Sequence, residues 1–478
     1  MARSAVGARR TFATFRACVV GSGPSGLYTA KYLQSKSSVE EMGDGVTEVH
    51  VDVVEAMPVP FGLVRFGVAP DHQDVKNVQH EFSDMFDDNA DALKFFGNVT
   101  VGKDISVDEL RDMYDAVILC CGASQDRLLG IPGEADSPVH GAREFVNWYN
   151  GHPDFADASS IFNFSHPNVV VVGNGNVAID CARILTKSVD ELAKSDISPK
   201  ALEALSNSKV KRVILLGRRG HAQGAFTIKE VRELTKLEGV ECIVHESDIN
   251  AGSTKGSLAE IKKQRAKKRM HALLEKTAKA ASESTGSGEN RVVEFQFLKS
   301  PVSVESSSSG CARLVVERTE LSGEAFAQSA KGTGETEQIE CGMVLRSIGY
   351  KSEPIEDSVP FDEKRSVVKS DKGKISDGFY TSGWCKRGPT GIVGTNIIDA
   401  KETVAAIVGD VSSGRVSCKD GGALGSLLSE RNVDFVTWSQ YKRIDAAETK
   451  AGEASAPVRP RVKLDTCEEM LSVAHNNN

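Results

Sequence analysis

The sequence has no long apolar run and no cysteine pair of the Cys-x-x-Cys type. No apolar run approaches the roughly 18 residues that a membrane-spanning helix requires, which argues against such a helix. The ten cysteines are scattered through a long chain, so they do not form a disulfide framework. The adjacent pair Cys120 and Cys121 lies in VILCCGA, a pattern typical of a buried strand, and we predict both to be small core residues.

Acidic residues are absent from the N-terminal segment, where the first one is Glu40. Several arginines precede it among Ser, Thr, Ala and Phe: Arg3, Arg9, Arg10 and Arg16. This composition is typical of a mitochondrial transit peptide, so we predict a leader over residues 1–16 and a mitochondrial matrix location. Two alternatives stay open. The segment is an ordinary frayed terminus or, because its amphipathic pattern is not clean, a plastid address.

Positive charge is not in overall excess, because the net charge is −8. This gives no reason to expect a nucleic-acid partner. The 478 residues, 40% of them hydrophobic and 43 of them Gly against 15 Pro, suit two to three α/β domains with tight turns. Residues 278–290 and 303–310 lack an apolar face, and we predict solvated loops there.

The first chemical signal is a βαβ pattern near the N-terminus. Residues 17–20 predict a strand that runs into GSGPSG, and a helical pattern continues to about residue 34. A polar loop is predicted over 35–47, followed by a second strand over 48–55. This order is typical of a dinucleotide-binding unit.

The glycines of this turn have distinct roles in such a unit. Gly21 permits the tight turn, Gly23 lets the backbone approach a pyrophosphate, and Gly26 lets helix and strand pack closely. Glu55 ends the second strand, where an acid binds ribose hydroxyls, although it lies further along the chain than the usual ~20 residues. The polar insertion SSVEEMGDG accounts for the longer spacing between the turn and Glu55.

A second βαβ unit begins at about residue 168. A strand over 169–172 leads into GNGNVA, a helix continues through Ile184, and a helical stretch to about residue 208 precedes a strand over 210–216. The turn is Gly173-x-Gly175-x-x-Ala178, and Ala in the third place is an accepted variant.

This second unit ends differently from the first. Arg218 and Arg219 stand after its second strand in place of an acid. Arginine pairs with a 2′-phosphate, so the site predicts NADP, whereas the ribose acid of the first unit predicts FAD. The alternative is that both arginines belong to a solvated turn.

With both units in view, the chain resembles the adrenodoxin reductase family of NADPH–ferredoxin reductases from about Ala17 to Leu471. The most specific stretch is PVPFGLVRFGVAPDH, over residues 58–72. Further matching segments are GNVTVGKDI, IPGE, FVNWYNG, GNGNVAIDCARIL, GRRG, AFTIKE, SIGYKS and SGWCKRGPTG.

The resemblance implies a glutathione-reductase-like α/β fold with two Rossmann-like dinucleotide-binding domains. The NADP domain, over 124–347, is inserted in an FAD domain made of residues 17–123 and 348–478. SIGYKS then marks the return of the chain to the FAD domain. GFYTSGW is expected to form a strand that delivers Trp384 to the flavin, and GIVGTNIIDA to start a helix beside it.

The resemblance also places cofactor contacts. Those for FAD fall on Ser25, Glu55, Leu63, Val101, Trp384, Gly391, Ile392 and Val393. Those for NADP fall on Asn174, Gly175, Asn176, Val177, Arg218, Arg219, Glu230, Trp384 and Gly391. Ser25 and Asn174 replace the commoner Ala and Gln, and Ile392-Val393-Gly394 replaces Val-Ile-Ala, which are small changes near backbone contacts.

The implied activity is hydride transfer from NADPH to FAD, followed by single electrons to a [2Fe–2S] ferredoxin of the adrenodoxin type. Such chemistry needs no protein nucleophile. Asp71 and His72, in the flavin-adjacent motif, are candidates for proton movement or docking, because His is easily poised near neutral pH. A purely structural role for both is the alternative, and no metal site is predicted.

A basic segment over residues 255–279 is the candidate docking surface. It carries nine Lys or Arg against Glu260 and Glu275, a net +7 in a chain of −8. By resemblance the docking arginines fall on Arg265 and Arg269, and Lys268 lies beside them. The alternative is a solvated helix face.

We expect a monomer with at most peripheral membrane association. The alternative functions are another two-dinucleotide flavoprotein, reducing a disulfide or hydroxylating a small molecule, and a non-catalytic NADP-binding regulator. The absence of Cys-x-x-Cys argues against disulfide reduction.

Overall fold

The structure is a computed structural model that describes residues 13–43, 45–283, 290–307, 310–419 and 421–476. Two six-stranded sheets form its centre, and helices cover them. The described helices are α1 (Pro24–Leu33), α2 (Lys36–Glu41), α3 (Gly62–Phe66), α4 (Gln73–Lys76), α5 (Val78–Asp88), α6 (Val107–Met113), α7 (Ala142–Tyr149), α8 (Asn176–Thr186), α9 (Val189–Leu192), α10 (Pro199–Ser206), α11 (Ile228–Leu234), α12 (Glu246–Gly252), α13 (Lys255–Lys263), α14 (Arg265–Glu283), α15 (Trp384–Arg387), α16 (Thr395–Ser412), α17 (Leu424–Glu430), α18 (Trp438–Glu453) and α19 (Cys467–His475).

The strands lie mostly in the first four-fifths of the chain. They are β1 (Ala13–Val20), β2 (Val46–Val54), β3 (Leu93–Phe96), β4 (Ala116–Leu119), β5 (Gln125–Asp126), β6 (Val139–Gly141), β7 (Asn168–Val172), β8 (Arg212–Gly217), β9 (Val240–Val244), β10 (Arg291–Phe297), β11 (Lys299–Ser306), β12 (Ala312–Ser322), β13 (Ser329–Cys341), β14 (Val344–Arg346), β15 (Tyr350–Lys351), β16 (Phe361–Asp362), β17 (Val367–Val368), β18 (Lys374–Ser376) and β19 (Phe379–Thr381).

The first sheet has the order β18-β19-β4-β1-β2-β3 and is parallel except for β18. Its strands come from the two ends of the chain. Alternate residues of β1 point to opposite faces, so Ala17 and Val19 pack with α1 and α16, while Cys18 and Val20 pack with α6 and α17. Burial on both faces explains why this parallel sheet is so apolar.

The second sheet has the order β6-β14-β7-β8-β10-β9, and all of its pairs are parallel. All of its strands lie between residues 139 and 346, inside the chain that builds the first sheet. One face packs on α7, α8 and α14, and the other packs on the three-stranded antiparallel sheet β11-β12-β13. The predicted fold class, with two Rossmann-like domains and one inserted in the other, is confirmed.

Buried ion pairs join the two halves of the molecule. Lys76 Nζ lies 2.8 Å from Asp196 Oδ1, and Lys463 Nζ lies 2.9 Å from Asp196 Oδ2, with all three side chains 5% exposed or less. Two lysines share this one carboxylate, so loss of Asp196 would leave two buried ammonium groups without a counter-charge, which is strongly destabilising. Among the described residues, no helix combines the length and apolarity needed to cross a bilayer.

Several local predictions were wrong. The first strand begins at Ala13, not at residue 17, because Phe15 packs in the sheet core with no exposed surface. A leader that ended at residue 16 would remove half of this strand. Residues 36–41 form α2, capped by Ser35, where a loop was predicted.

The two predicted solvated loops are shorter than expected. Residues 278–283 continue α14 and residues 303–306 belong to β11, while residues 284–289 and 308–309 lie outside the described part of the chain. The prediction for Cys121 was also wrong: β4 ends at Leu119, so Cys120 is buried but Cys121 is exposed.

Candidate functional site

The first glycine-rich turn connects β1 to α1. Gly21 has a φ of 107°, and a Cβ there would lie 2.6 Å from the carbonyl oxygen of Cys120. A Cβ at Gly26 would collide with the carbonyl oxygen of Gly21, whereas one at Gly23 would meet no protein atom within 4 Å. Gly21 and Gly26 are therefore required by the fold, and Gly23 borders open space that a phosphate group can enter.

Glu55 follows the end of β2 beside this turn. Its Oε2 accepts hydrogen bonds from Ser22 N at 2.9 Å and Ser22 Oγ at 2.6 Å, and its Oε1 accepts one from Met57 N at 3.1 Å. These bonds fix the carboxylate at the edge of the turn. A carboxylate oxygen accepts more than one hydrogen bond, so Glu55 retains capacity for a ligand hydroxyl.

A cavity of about 320 Å³ opens at this turn. This volume lies within the range of small-molecule and cofactor pockets. The predicted FAD residues that line it are Gly21, Gly23, Ser25, Glu55, Leu63, Val101 and Trp384. The group therefore gathers at one place, as a bound dinucleotide requires.

The other predicted FAD residues do not line the cavity. Gly26 packs against the turn, and Gly391, Ile392 and Val393 lie beyond Asn396, which does line it. Asn396 Nδ2 donates to the carbonyl oxygen of Val393 at 3.0 Å, so Asn396 connects this segment to the wall of the cavity.

The far wall of the cavity was missed by sequence reasoning. Arg143, Asn147 and His152 contribute to it from α7 and the turn that follows, and Tyr350 packs on Trp384 with ring centroids 5.9 Å apart. Asn147 Nδ2 is buried without a hydrogen-bond partner, which suits a ligand acceptor. In the sequence this region was identified only through its match to FVNWYNG, and that match predicted no cofactor contact.

The second turn, between β7 and α8, repeats the steric pattern of the first. Gly173 has a φ of 137°, and a Cβ there would collide with the carbonyl oxygen of Ser347. A Cβ at Gly175 would meet no protein atom within 4 Å, and Ala178 is fully buried. The space in front of this turn therefore fits a second phosphate group.

The polar residues of this turn are partly committed to the protein. Asn176 Oδ1 accepts a hydrogen bond from Thr227 N at 2.8 Å, while Asn174 Oδ1 is buried without a partner. Val177 is half-buried in the first turn of α8. Asn174 is thus the side chain of this turn with spare hydrogen-bonding capacity.

Arg218 and Arg219 directly follow β8 and are both exposed. Neither guanidinium group has a hydrogen bond or ion pair with any residue that the structure describes. Only their backbone carbonyls are used, by Thr319 and Leu298. Two free guanidinium groups beside a phosphate-sized space are what binding of a 2′-phosphate requires.

The candidate catalytic residues lie outside the lining of the cavity. Asp71 accepts two hydrogen bonds from Arg183, at 2.9 and 3.0 Å, and one from Lys187 Nζ at 2.9 Å. Burial raises the pKa of Asp71, but the charge of Arg183 outweighs burial and holds the pKa well below its usual range. Asp71 therefore stays ionised, and the structure favours the structural alternative for it.

His72, like Asp71, contacts residues of the inserted half of the molecule. Its Nε2 lies 3.0 Å from Glu233 Oε2 and 3.8 Å from Glu230 Oε2, both on α11. Burial lowers the pKa of His72, but the hydrogen bond with Glu233 outweighs burial, and the pKa is raised above its ordinary value. His72 can therefore carry a proton near neutral pH.

His72, Asp180 and Glu230 offer ligand atoms that lie within 4.8 Å of one another. Arg183 Nη1 lies 2.7 Å from Asp180 Oδ1 and 3.6 Å from Glu230 Oε2, so a guanidinium already neutralises this cluster. Burial, with the charge of Asp180, raises the pKa of Glu230. The group is a charge network between the two halves of the molecule.

The basic segment forms α13 and α14. Met270, Leu274 and Ala278 bury one face of α14 in the second core. Arg265, Lys268 and Arg269 are exposed, and residues three and four positions apart share a helix face. None of the three side chains has a partner among the described residues, so their charges are available to another molecule.

The comparisons with known proteins agree with this geometry. Residues 15–272 match the family described as "Pyridine nucleotide-disulphide oxidoreductase". The chain is 40% identical over 476 residues to "NADPH:adrenodoxin oxidoreductase, mitochondrial" of Arabidopsis thaliana, covering 96% of this chain and 95% of that protein. It is 41% identical over 468 residues to the human protein of the same name, covering 95% and 91% of the two chains.

The chain belongs to the adrenodoxin reductase family.

Bacterial members are similarly close to it. The chain is 38% identical over 466 residues to "NADPH-ferredoxin reductase FprA" of Mycobacterium leprae, covering 96% of this chain and 98% of that protein. The solved structure of Mycobacterium tuberculosis FprA in complex with NADPH superposes with a TM-score of 0.88 at 37% identity, covering 97% of this chain and 100% of that one. The resemblance drawn from the motifs is confirmed.

Proposed function

We propose that this chain is an FAD-dependent NADPH–ferredoxin reductase, which passes electrons from NADPH through FAD to a [2Fe–2S] ferredoxin of the adrenodoxin type. One observation carries the proposal. The two glycine-rich turns have the same shape, but the strand that follows each one ends at an opposite charge. After the first turn this is the fixed carboxylate of Glu55, and after the second it is the unpaired guanidinium groups of Arg218 and Arg219. A ribose-binding site and a 2′-phosphate-binding site thus occur in one chain.

The first site supports resident FAD. Glu55 binds the ribose, the backbone at Gly23 approaches the pyrophosphate, and Ser25, Leu63 and Val101 line the cavity. Trp384 bounds the end of the cavity that holds the flavin ring, and Gly391 to Val393 lie behind Asn396 at the same end. When bound, FAD supplies the chemistry by accepting hydride from NADPH and releasing electrons singly.

The second site supports exchangeable NADPH. Gly175 and the adjacent Asn174, Asn176 and Val177 cradle the pyrophosphate, and Arg218 and Arg219 bind the 2′-phosphate. His72 and Glu230 lie close together beside Asp180 of α8, and there they hold or move a proton where the two halves meet. Asp71 positions Arg183 beside them and is not itself a proton carrier.

Sheet membership supports the domain boundaries. We assign 17–123 and 348–478 to the FAD domain and 124–347 to the NADP domain, with the first domain extended back to Ala13, where β1 begins. A mitochondrial leader fits only if it ends before Ala13. Relatives named as mitochondrial favour a matrix location, whereas the bacterial FprA proteins are equally similar.

The partner is expected to dock on Arg265, Lys268 and Arg269 of α14. Their positive charge complements an acidic ferredoxin in a chain that is otherwise acidic. We expect the reductase to act as a monomer with at most peripheral membrane association.

The test is NADPH-driven reduction of cytochrome c by the purified protein, with and without adrenodoxin. The protein should be yellow, with one FAD per chain, and adrenodoxin should stimulate the reduction strongly. A colourless, folded protein that takes up no FAD would contradict the proposal and favour a non-catalytic NADP-binding regulator. Rapid inactivation by iodoacetamide, with FAD still bound, would favour a dithiol mechanism instead.

A further inference from the structure

Phe326 lies at the tip of the hairpin formed by β12 and β13. It is 52% exposed, one of the few large apolar side chains at the surface of the described chain. Its φ is 68°, in the left-handed region that bulky residues rarely adopt. Glycine or asparagine would occupy this position with less strain.

The stability of the fold therefore does not account for Phe326. A ring that remains half exposed recovers little free energy from burial, and the left-handed backbone costs free energy. Strained backbone that persists in a structure is found mainly at functional sites.

Two buried polar groups fasten the tip to α13. The carboxylate of Glu260, which is 1% exposed, accepts a hydrogen bond from Phe326 N at 2.7 Å and also pairs with Lys267. Gln328 Nε2 donates to Thr254 Oγ1 at 2.7 Å, and Ser257 Oγ donates to Gln328 Oε1 at 2.7 Å. The tip is thus a rigid platform on the helix pair, not a free loop.

The same bonds bring cations to the ring. Lys263 Nζ lies 5.9 Å and Lys267 Nζ 5.4 Å from the centroid of Phe326, within the range of cation–π contacts. Both lysines belong to the basic segment over 255–279, with its net +7. An exposed aromatic ring with charged groups at its edge resembles an interface anchor, because aromatic side chains are enriched at interfaces and are bordered there by a polar rim.

We propose that Phe326 is the aromatic anchor of the ferredoxin-docking surface, with Lys263 beside it as a charged contact. The occupant is an acidic protein, because the ring lies against a segment of net charge +7, and complementary charge favours such a partner. This inference rests on the proposed ferredoxin reductase function. It adds an apolar contact from the hairpin to the charges of α14.

The test compares Phe326→Gly with the wild-type holoenzyme in adrenodoxin-dependent cytochrome c reduction. Glycine relieves the left-handed backbone, so the melting temperature should not fall. The KM for adrenodoxin should rise at least about tenfold, as for truncation of an interface hot spot. Phe326→Tyr should restore most of the affinity, and Leu128→Ala, which shortens a 68% exposed side chain outside the basic segment, should not change it.

Salt separates the apolar contact from the charges. The effect of Arg265→Glu with Arg269→Glu should shrink towards none at about 0.5 M salt, because screening weakens exposed charges. The ratio of KM values for Phe326→Gly and wild type should persist, because salt does not screen apolar burial.

Two results would overturn the inference in different ways. If the wild type reduces adrenodoxin and Phe326→Gly has an unchanged KM at both salt concentrations, Phe326 is not in the interface. If the wild type reduces ferricyanide with NADPH but no adrenodoxin, the proposed function fails, and this inference fails with it.

Discussion

The two glycine-rich turns have the same backbone geometry but different surroundings. Gly21 and Gly173 both adopt positive φ, and Gly23 and Gly175 both border open space. At the end of the next strand, Glu55 is fixed by three hydrogen bonds, whereas Arg218 and Arg219 are exposed, and their side chains form no hydrogen bond or ion pair with the described residues. On the proposed function, the shared part binds phosphate and the differing part selects the nucleotide.

The two turns also differ in how far the space beside them is enclosed by protein. The first turn opens into a cavity walled by both halves of the molecule, from Leu63 on one side to Asn147 on the other. The arginines of the second turn lie at the surface. An enclosed site suits a cofactor that stays bound, and an open site suits one that exchanges at each turnover.

Removing the charge that distinguishes the second turn should have the largest effect. With Arg218→Gln and Arg219→Gln together, the KM for NADPH should rise about 100-fold or more, because each charge-assisted hydrogen bond contributes about 1.5–3 kcal/mol and about 1.4 kcal/mol is tenfold. Steady-state ferricyanide reduction with NADPH and with NADH measures this.

The KM for NADH should change little in the same variant, and Lys211→Gln, at the other end of β8, should behave as wild type. Equal losses for NADPH and NADH would contradict binding of a 2′-phosphate by these arginines.

Matched substitutions in the shared part should separate the two sites. Gly23→Ala and Gly175→Ala each place a methyl group where no protein atom lies within 4 Å, so the fold should tolerate both. Overpacking against a ligand costs about 1–3 kcal/mol, so the affinity for FAD in the first variant, and for NADPH in the second, should fall about ten- to a hundredfold. Flavin fluorescence after dialysis and NADPH titration measure the two affinities.

Gly26→Ala is the control for steric damage, because its Cβ would collide with the carbonyl oxygen of Gly21 and should lower the melting temperature. If Gly175→Ala lost FAD as readily as Gly23→Ala, the two turns would not serve separate ligands.

Lowering the pH should destabilise the NADP domain more than the FAD domain, and this effect should be smaller than those of the substitutions above. The described histidines with lowered pKa values are His140, His152 and His221, all within residues 124–347. Burial, together with the facing ring of His271, lowers the pKa of His221 to about 4. The unfolded chain, with a His pKa of about 6.5, binds this proton more readily, so stability is lost as the pH falls from about 6.5 towards 4.

Between pH 7.5 and pH 5, His221 should account for a loss of about 2 kcal/mol in unfolding free energy. His221→Asn should show a correspondingly smaller loss in urea unfolding, while FAD release should change little between these pH values. An identical pH dependence in wild type and variant would show that this imidazole does not titrate with folding.

Much of the site was predictable because its signals are local in sequence. The turns at Gly21 and Gly173 follow apolar strands directly, and Glu55 and Arg218 end the next strands. The basic segment is likewise a matter of composition along one stretch of chain. Periodicity and turn chemistry act over a few residues, so the sequence reveals them.

Boundaries were less predictable. β1 begins at Ala13 because Phe15 packs in the core of the sheet, and the arginine-rich composition of this segment could not show that. Ser35 caps α2 within a stretch that looked like a polar loop. In both places tertiary packing or a single cap outweighed the local composition.

The sequence by itself determined two glycine-rich turns, each followed one strand later by charges of opposite sign, and a basic segment of net +7. Only the tertiary structure decided that Asp71 pairs with Arg183, 112 positions away, that Asn147 lines the cavity at the first glycine-rich turn, and that a hairpin brings Phe326 to Lys267. Contacts between distant residues depend on how sheets and helices pack together. That packing is a property of the whole chain and leaves no periodic trace at either residue.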